Sequence, residues 1–235
     1  MWSGPRNAST ALMYSWGQRD DTVAIDEPFY AYYLIQKDLD HPGWIETLES
    51  QSSDYLEVIK NVIYHKSEKP VMYIKNMAHH SVNMALNFMD DMIDLFLIRD
   101  PGEVISSYIK NIPNPTMDDL AYKRQWELIE YLQSKGKEVF VVDSKELLTN
   151  PRIILEKMCV FAGLRFQEAM LTWEAGPKNM DGAWAKYWYG NVHRSTGFQR
   201  YEKKNVKLSQ QYKSLEQECR EYYKKMSALG VKCYD

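Results

Sequence analysis

Ser3-Gly4-Pro5-Arg6-Asn7-Ala8-Ser9-Thr10, directly after Met1-Trp2, has the composition of a turn that cradles an anion and then opens a helix. A helix start leaves backbone N–H groups unpaired and carries partial positive charge. Gly4 lets the chain curl close to a ligand, and Pro5, Asn7 and Ala8 complete the bend. Arg6 supplies a fork of donors suited to phosphate or sulfonate oxygens, and the hydroxyls of Ser9 and Thr10 add two more. The Gly-Lys-Ser/Thr ending of a Walker A loop is absent, which weighs against ATP or GTP hydrolysis. Only two residues precede the turn, so the first strand is a stub or the ancestral start lies upstream.

Outward from this turn, strand-like and helix-like stretches alternate. That alternation predicts an α/β fold, a three-layer sandwich around a central, mostly parallel sheet. A helix is predicted over Ser9–Gly17, then a short buried strand over Thr22–Ile25, ended by Asp26-Glu27-Pro28. Residues 41–67 read as helical with polar breaks, Val71–Ile74 as a strand and residues 80–90 as a short helix. Ile93–Ile98 reads as a central strand interrupted only by Asp94. Asp100-Pro101-Gly102-Glu103 then opens a helix, with Asp100 as N-cap and Glu103 as its reciprocal capping-box partner. Thr116 starts another helix that stops near Gly136, Val139–Val142 is a buried strand, and Asn150-Pro151 caps a helix ending at Gly163.

Residues 172–206 lack periodicity yet are rich in Gly, Trp, Tyr and Asn, the mark of an ordered functional segment, read here as a lid or acceptor-binding segment. Residues 207–235 hold a last helix whose stripe of Tyr212, Leu215, Cys219, Tyr222, Met226 and Leu229 packs on the body. The whole chain, 1–235, is expected to form a single domain.

Bulk composition narrows the function further. The 235 residues are 45% hydrophobic and 26% charged, enough for a sizeable core. A net charge of -3 provides no general attraction for nucleic acid or an anionic membrane, so neither is an expected partner. No stretch approaches the roughly 18 apolar residues of a membrane span. Three cysteines without motif spacing fit a reducing cytoplasm, and Cys159 reads as core. Oligomeric state is not legible.

A second motif lies at Arg99-Asp100-Pro101-Gly102-Glu103-Val104-Ile105-Ser106-Ser107. Arg99 ends a strand, and Ser107 follows eight residues later in the next helix. This spacing resembles the sulfotransferase family, in which such an arginine and serine hold the 3′-phosphate of the sulfonate donor PAPS. The chain is similar to that family again at Val142-Asp143-Ser144-Lys145-Glu146-Leu147-Leu148 through Pro151, at Phe161-Ala162-Gly163-Leu164, and at His193-Arg194-Ser195-Thr196-Gly197-Phe198. The resemblance spans roughly residues 2–200. It implies a P-loop-like architecture, PAPS as co-substrate, no metal, and donor contacts from Arg194 and Gly197 in addition to the turn, Arg99 and Ser107. The implied geometry is two oxyanion pockets, around Arg6 and Arg99, facing one crevice. Against this stands a simple ion pair of Arg99 with Asp100 or Glu103.

Departures from the family are informative. Cytosolic members commonly carry lysine where Arg6 stands; arginine resembles carbohydrate-type and bacterial members. Their adenine-stacking tryptophan aligns with Ala11, leaving Trp184, Trp188 and Phe198 as candidates for stacking. Lys75 matches a family lysine and is a second cation for charge stabilisation beside Arg6, yet Met77 stands where the family histidine base would be. The base candidates are Glu27, which resembles the glutamate base of some bacterial and carbohydrate sulfotransferases, then His80 and His79. Phe29, Tyr30, Tyr33, Trp184 and Trp188 are candidates for the pocket of a small soluble acceptor bearing a hydroxyl or amine. Two competing readings remain: a P-loop kinase or NTPase, with Val139–Asp143 as a Walker B strand, and a non-catalytic relative that binds adenosine phosphates.

Overall fold

The computed structural model describes residues 1–39, 41–203 and 205–233. Six strands are formed: β1 (Trp2–Ser3), β2 (Thr22–Asp26), β3 (Val71–Met77), β4 (Leu95–Ile98), β5 (Phe140–Asp143) and β6 (Gly230–Val231). The helices are α1 (Ser9–Trp16), α2 (Tyr30–Lys37), α3 (Trp44–Ser50), α4 (Tyr55–Val58), α5 (Pro101–Tyr108), α6 (Met117–Leu120), α7 (Tyr122–Ser134), α8 (Ser144–Thr149), α9 (Pro151–Phe161), α10 (Ala185–Trp188), α11 (Gly190–His193) and α12 (Lys213–Ala228). The chain is α/β, and the pairings of β1 with β4, β2 with β3, β4 with β5 and β5 with β6 are parallel. It clusters into two compact units, one of residues 1–9, 89–166 and 199–235, the other of residues 10–88 and 167–198.

In the first unit β1 pairs with β4, β4 with β5 and β5 with β6. The register sets Trp2 beside Phe96, Leu95 beside Phe140, and Val141 beside Gly230. All four residues of β4 are buried, as expected of a parallel strand covered on both faces. Asp94 lies just before β4 instead of interrupting it, and accepts a hydrogen bond from the Trp2 indole at 2.9 Å. Asp100 caps α5 through the Glu103 N–H, but the Glu103 carboxylate does not return to the cap. It is drawn to Arg99 and Tyr201. The helix predicted from Thr116 to Gly136 is broken at Ala121, which sits at φ 61°, so a capped turn (α6) precedes α7. On α12, Cys219 and Met226 are fully buried while Leu229 is 40% exposed, so the apolar stripe is covered only in part.

In the second unit β2 and β3 pair from Thr22 beside Val71 to Asp26 beside Lys75. β3 runs three residues past the predicted end at Ile74, because the ammonium of Lys75 finds buried counter-charges and need not reach solvent. The helix predicted over 80–90 is replaced by two 3₁₀ turns, Ala78–Ser81 and Asn87–Asp91. The Ser81 hydroxyl donates to the Ala78 carbonyl at 2.7 Å and Asn83 adopts φ 53°, both local alternatives to α-helix. The irregular segment from 172 onward is pinned by a bridge between Thr172 and Gly197 and contains the short helices α10 and α11.

α12 is tied down by polar contacts that its stripe does not show. Tyr223 donates to the Asp143 carboxylate at 2.6 Å, and Arg220 donates to Asp100 at 2.9 Å. Burial holds the Asp143 carboxyl above its ordinary pKa despite that hydrogen bond. Tyr223→Phe removes one partner of a buried carboxylate. It should lower unfolding stability by about 1–3 kcal/mol in urea titration, with an unchanged denaturant slope.

Candidate functional site

In the first unit the turn after β1 adopts the left-handed conformation twice, at Arg6 (φ 61°) and Ala8 (φ 64°). Such conformations are uncommon for residues with a Cβ and mark an imposed geometry. The amide N–H of Asn7 closes the hydrogen-bonded turn across Pro5 and Arg6, and those of Arg6 and Ala8 have no acceptor among the described residues. Unpaired amides in a tight bend form an anion-binding concavity. Gly4 is required by space, since a Cβ there would lie 2.7 Å from the Leu120 carbonyl oxygen.

Three side chains fix the bend from below. The Asn7 amide donates to the Leu97 carbonyl at 3.0 Å. The Ser144 hydroxyl, at the start of α8, contacts the carbonyls of Asn7 (2.6 Å) and Ile98 (2.9 Å). Gln125, in the amide orientation that satisfies both its ends, accepts from the Gly4 N–H at 3.2 Å and donates to Leu97. The ends of β1, β4 and β5 thereby hold one turn.

Arg6 and Arg99 form one cluster, not the two separate pockets implied by spacing. Arg6 Nε donates to the Ser107 hydroxyl at 3.0 Å, and a terminal nitrogen of Arg99 donates to the Arg6 carbonyl at 2.9 Å. Burial lowers the pKa of Arg6, and the neighbouring Arg99 charge lowers it further. Two guanidinium groups held this close favour an anion between or beside them. Arg99 also forms the ion pair with Glu103, but as a largely buried contact and not a surface one. Truncating Arg99 would therefore disturb the turn as well as remove a cation.

The second unit gathers Glu27, Lys75, His79 and His80 with Asp26, which sequence reasoning missed, and with Tyr189, which it placed only at the end of an acceptor segment running from Trp184. Lys75 donates to Asp26 (2.8 Å), to Glu27 Oε1 (2.5 Å) and to the Tyr189 hydroxyl (2.5 Å). That hydroxyl donates to Asp26 at 2.7 Å and accepts from the Trp184 indole at 3.1 Å. Glu27 sits at φ 40°, braced by its N–H on the Lys75 carbonyl and by Gln51 on its own carbonyl. Burial pushes the Glu27 carboxyl above its ordinary pKa against the pull of Lys75. Burial also works against the Lys75 charge, but Asp26 and Glu27 more than offset it and hold its pKa up.

His80 is stacked between Tyr30 (4.6 Å) and Tyr33 (4.7 Å), and burial pushes its pKa well down, so it is a neutral imidazole. Its Nδ1 lies 3.9 Å from Glu27 Oε2, and neither atom has a hydrogen-bond partner among the described residues. His79 packs edge-on against Tyr33. Phe29, Tyr33 and Trp184 are buried, with Phe29 on Phe88 and Trp184 edge-on to Tyr30, so they form the packing around this cluster more than an open lining. Trp188 keeps a buried indole N–H without a partner among the described residues, and Phe198 packs edge-on against Trp173. Arg194 is exposed and donates to Asn191, while Gly197 is held in the bridge to Thr172. Thr10 follows Ser9 in the first turn of α1. The signal for Asp26 was its place beside Glu27 at a strand end, whereas nothing in the sequence tied Tyr189, read as part of an aromatic acceptor segment, to Lys75.

The profile of the sulfotransferase domain family matches residues 1–229. The chain belongs to the sulfotransferase domain family. Two curated Arabidopsis thaliana proteins are similar to it: branched-chain-amino-acid aminotransferase-like protein 2, 34% identical, and branched-chain-amino-acid aminotransferase-like protein 1, 36% identical. Each match covers 84% of this chain but only 35% and 36% of the relative, so the chain spans about a third of their length. Among solved structures, the sulfotransferase domain from the curacin biosynthetic pathway matches with a TM-score of 0.54 at 14% identity, covering 95% of both chains. The sulfotransferase domain from the Synechococcus PCC 7002 olefin synthase matches with a TM-score of 0.53 at 15% identity, covering 96% of this chain and 92% of that one. These likenesses establish the fold. No helix among the described residues is long and apolar enough to cross a membrane.

Lys75→Met leaves two buried carboxylates without their shared cation and should destabilise the sulfotransferase domain by about 3–5 kcal/mol near neutral pH. In the variant the Glu27 carboxyl, already raised by burial, loses the opposing pull of Lys75 and so has a folded pKa raised further above its unfolded value. Its protonation restores stability as pH falls toward the unfolded range, so the deficit should shrink between about pH 7 and about pH 5. Urea unfolding of both proteins at the two pH values measures this.

Proposed function

We propose that this sulfotransferase domain transfers a sulfonate group from PAPS to a hydroxyl or amine of a small soluble acceptor, giving PAP and a sulfated product. The observation that carries the proposal is the Arg6 cluster: a strained turn in which the Arg6 and Ala8 amides have no acceptor among the described residues, an arginine whose terminal nitrogens have no partner among them, and Arg99 beside it. That donor set suits phosphate oxygens, and a loop lacking the Walker lysine does not suit metal-nucleotide hydrolysis.

When bound, the donor supplies the activated sulfonate; the S–O bond to its phosphate breaks as a new bond from the acceptor forms. Arg6 and the turn amides would hold the phosphate charge that develops on the leaving oxygen. Ser107 and Arg99 would steady the same cluster. Glu27 would receive the acceptor proton at Oε2, the oxygen not engaged by Lys75. Its raised pKa suits a general base better than an ordinary carboxylate would, and Lys75 and Tyr189 fix its position. His80, a neutral ring 3.9 Å away, and His79 would take that role only if Glu27 does not. Phe29, Tyr30, Tyr33, Trp184 and Trp188 would shape the acceptor side.

Calorimetric titration with PAP, 5′-AMP and ATP-magnesium tests the donor assignment. PAP should bind most tightly; a preference for ATP-magnesium would favour a P-loop kinase or NTPase instead. Glu27→Gln should keep PAP affinity while lowering turnover about 10²- to 10⁴-fold. In the wild type, turnover should fall on the acid side through a pKa above the ordinary carboxylate range, because activity requires the ionised form. Full turnover in Glu27→Gln would move the base role to His80 or His79, and PAP binding without transfer to any acceptor would mark a non-catalytic relative.

A further inference from the structure

Every nitrogen of Arg99 is engaged by the protein itself. Nε and one terminal nitrogen donate to Glu103 Oε2 at 2.9 and 2.7 Å, and the other terminal nitrogen holds the Arg6 carbonyl at 2.9 Å. The second oxygen of Glu103 accepts from the Tyr201 hydroxyl at 2.9 Å, and the Glu103 side chain is only 6% exposed. Arg6 differs: only its Nε is spent, on Ser107.

We propose that Glu103 is a specificity-determining residue of the donor site: its carboxylate occupies the face of Arg99 that a second phosphate of the nucleotide would take. A bisphosphorylated adenosine then binds by exchanging one anion on Arg99 for another. The inference rests on the donor reading above and adds to it a residue that limits the preference for the 3′-phosphorylated ligand by competing for Arg99.

The structure provides for the displaced carboxylate. Glu103 lines a cavity of about 320 Å³ together with Arg99, Lys145, Tyr201, Lys203 and Arg220. Asp100, Asp143 and Glu216 line the same space and Arg220 is already engaged by Asp100 and Glu216, so Lys145 and Lys203 are the cations toward which the carboxylate can turn from the incoming phosphate. Like charges held together on one arginine would repel, so the carboxylate leaves as the phosphate arrives, and the loss of its ion pair with Arg99 offsets part of the phosphate's binding. The exchange also takes away the acceptor of the Tyr201 hydroxyl. Tyr201 is otherwise anchored by its N–H on the Leu148 carbonyl at 3.2 Å, so loss of Glu103 loosens the stretch around it.

Two measurements on the full chain test this. Calorimetry should show Glu103→Gln binding PAP about tenfold more tightly than the wild type, ~1.4 kcal/mol, with 5′-AMP affinity changed by less than about twofold. Hydrogen exchange of the wild type should show faster amide exchange around Tyr201 with PAP than with 5′-AMP; this needs no variant and decides the matter if Glu103→Gln does not fold. If the wild type prefers PAP but Glu103→Gln leaves the PAP-to-AMP preference unchanged or weaker, the role of Glu103 is wrong while the donor reading stands. Wild-type protein with no preference for PAP overturns both.

Discussion

The hydrogen bond from Arg99 to the carbonyl of Arg6 joins the end of β4 to the turn that follows β1. It holds a backbone carbonyl whose residue is already in an unfavourable left-handed conformation, and it fixes a second guanidinium beside the first. Remove it, and the strain at Arg6 and Ala8 and the closeness of two like charges both lose a direct support. The contacts of Asn7 and Ser144 reinforce the same turn from β4 and β5. Three parallel strands thus end on one small anion-binding structure, the place where ligands meet such sheets.

The second unit solves a different electrostatic problem. A lysine buried in the middle of a strand would ordinarily lose its proton or unfold the strand. Asp26, Glu27 and Tyr189 surround it, so that the ammonium stays charged and the carboxylates stay oriented. The arrangement leaves Glu27 with one oxygen spent and one in reserve next to a neutral histidine. Burial that raises a carboxyl pKa and a cation that keeps it in place are the two ingredients a poised base requires.

Much of the architecture was legible in residue order. The anion turn, Asp100 as a cap, the Asn150-Pro151 helix start and the β-branched strand at 139–142 each announce themselves by local chemistry. Misreadings fell where tertiary contacts overrode local preference. Lys75 looked like a strand end because its counter-charges lie far away in the chain, at 26, 27 and 189. Glu103 looked like a capping-box partner because the pattern fits, yet two stronger groups, Arg99 and Tyr201, were within reach. The run 80–90 has enough apolar residues for a helix, but Ser81 and Asn83 turned it into 3₁₀ turns.

By itself the sequence determined the α/β class and the positions of the bend after β1 and of the Arg99–Ser107 motif, because both depend on the order of neighbouring residues: strand pattern, bend, cap and eight-residue spacing. Only the tertiary structure decided that Arg6 and Arg99 share one cluster, that Glu103 already occupies Arg99, and that Asp26 and Tyr189 complete the surroundings of Glu27 and Lys75. Those facts depend on distance and burial between residues far apart in the chain, and electrostatic partnership is set by separation in space.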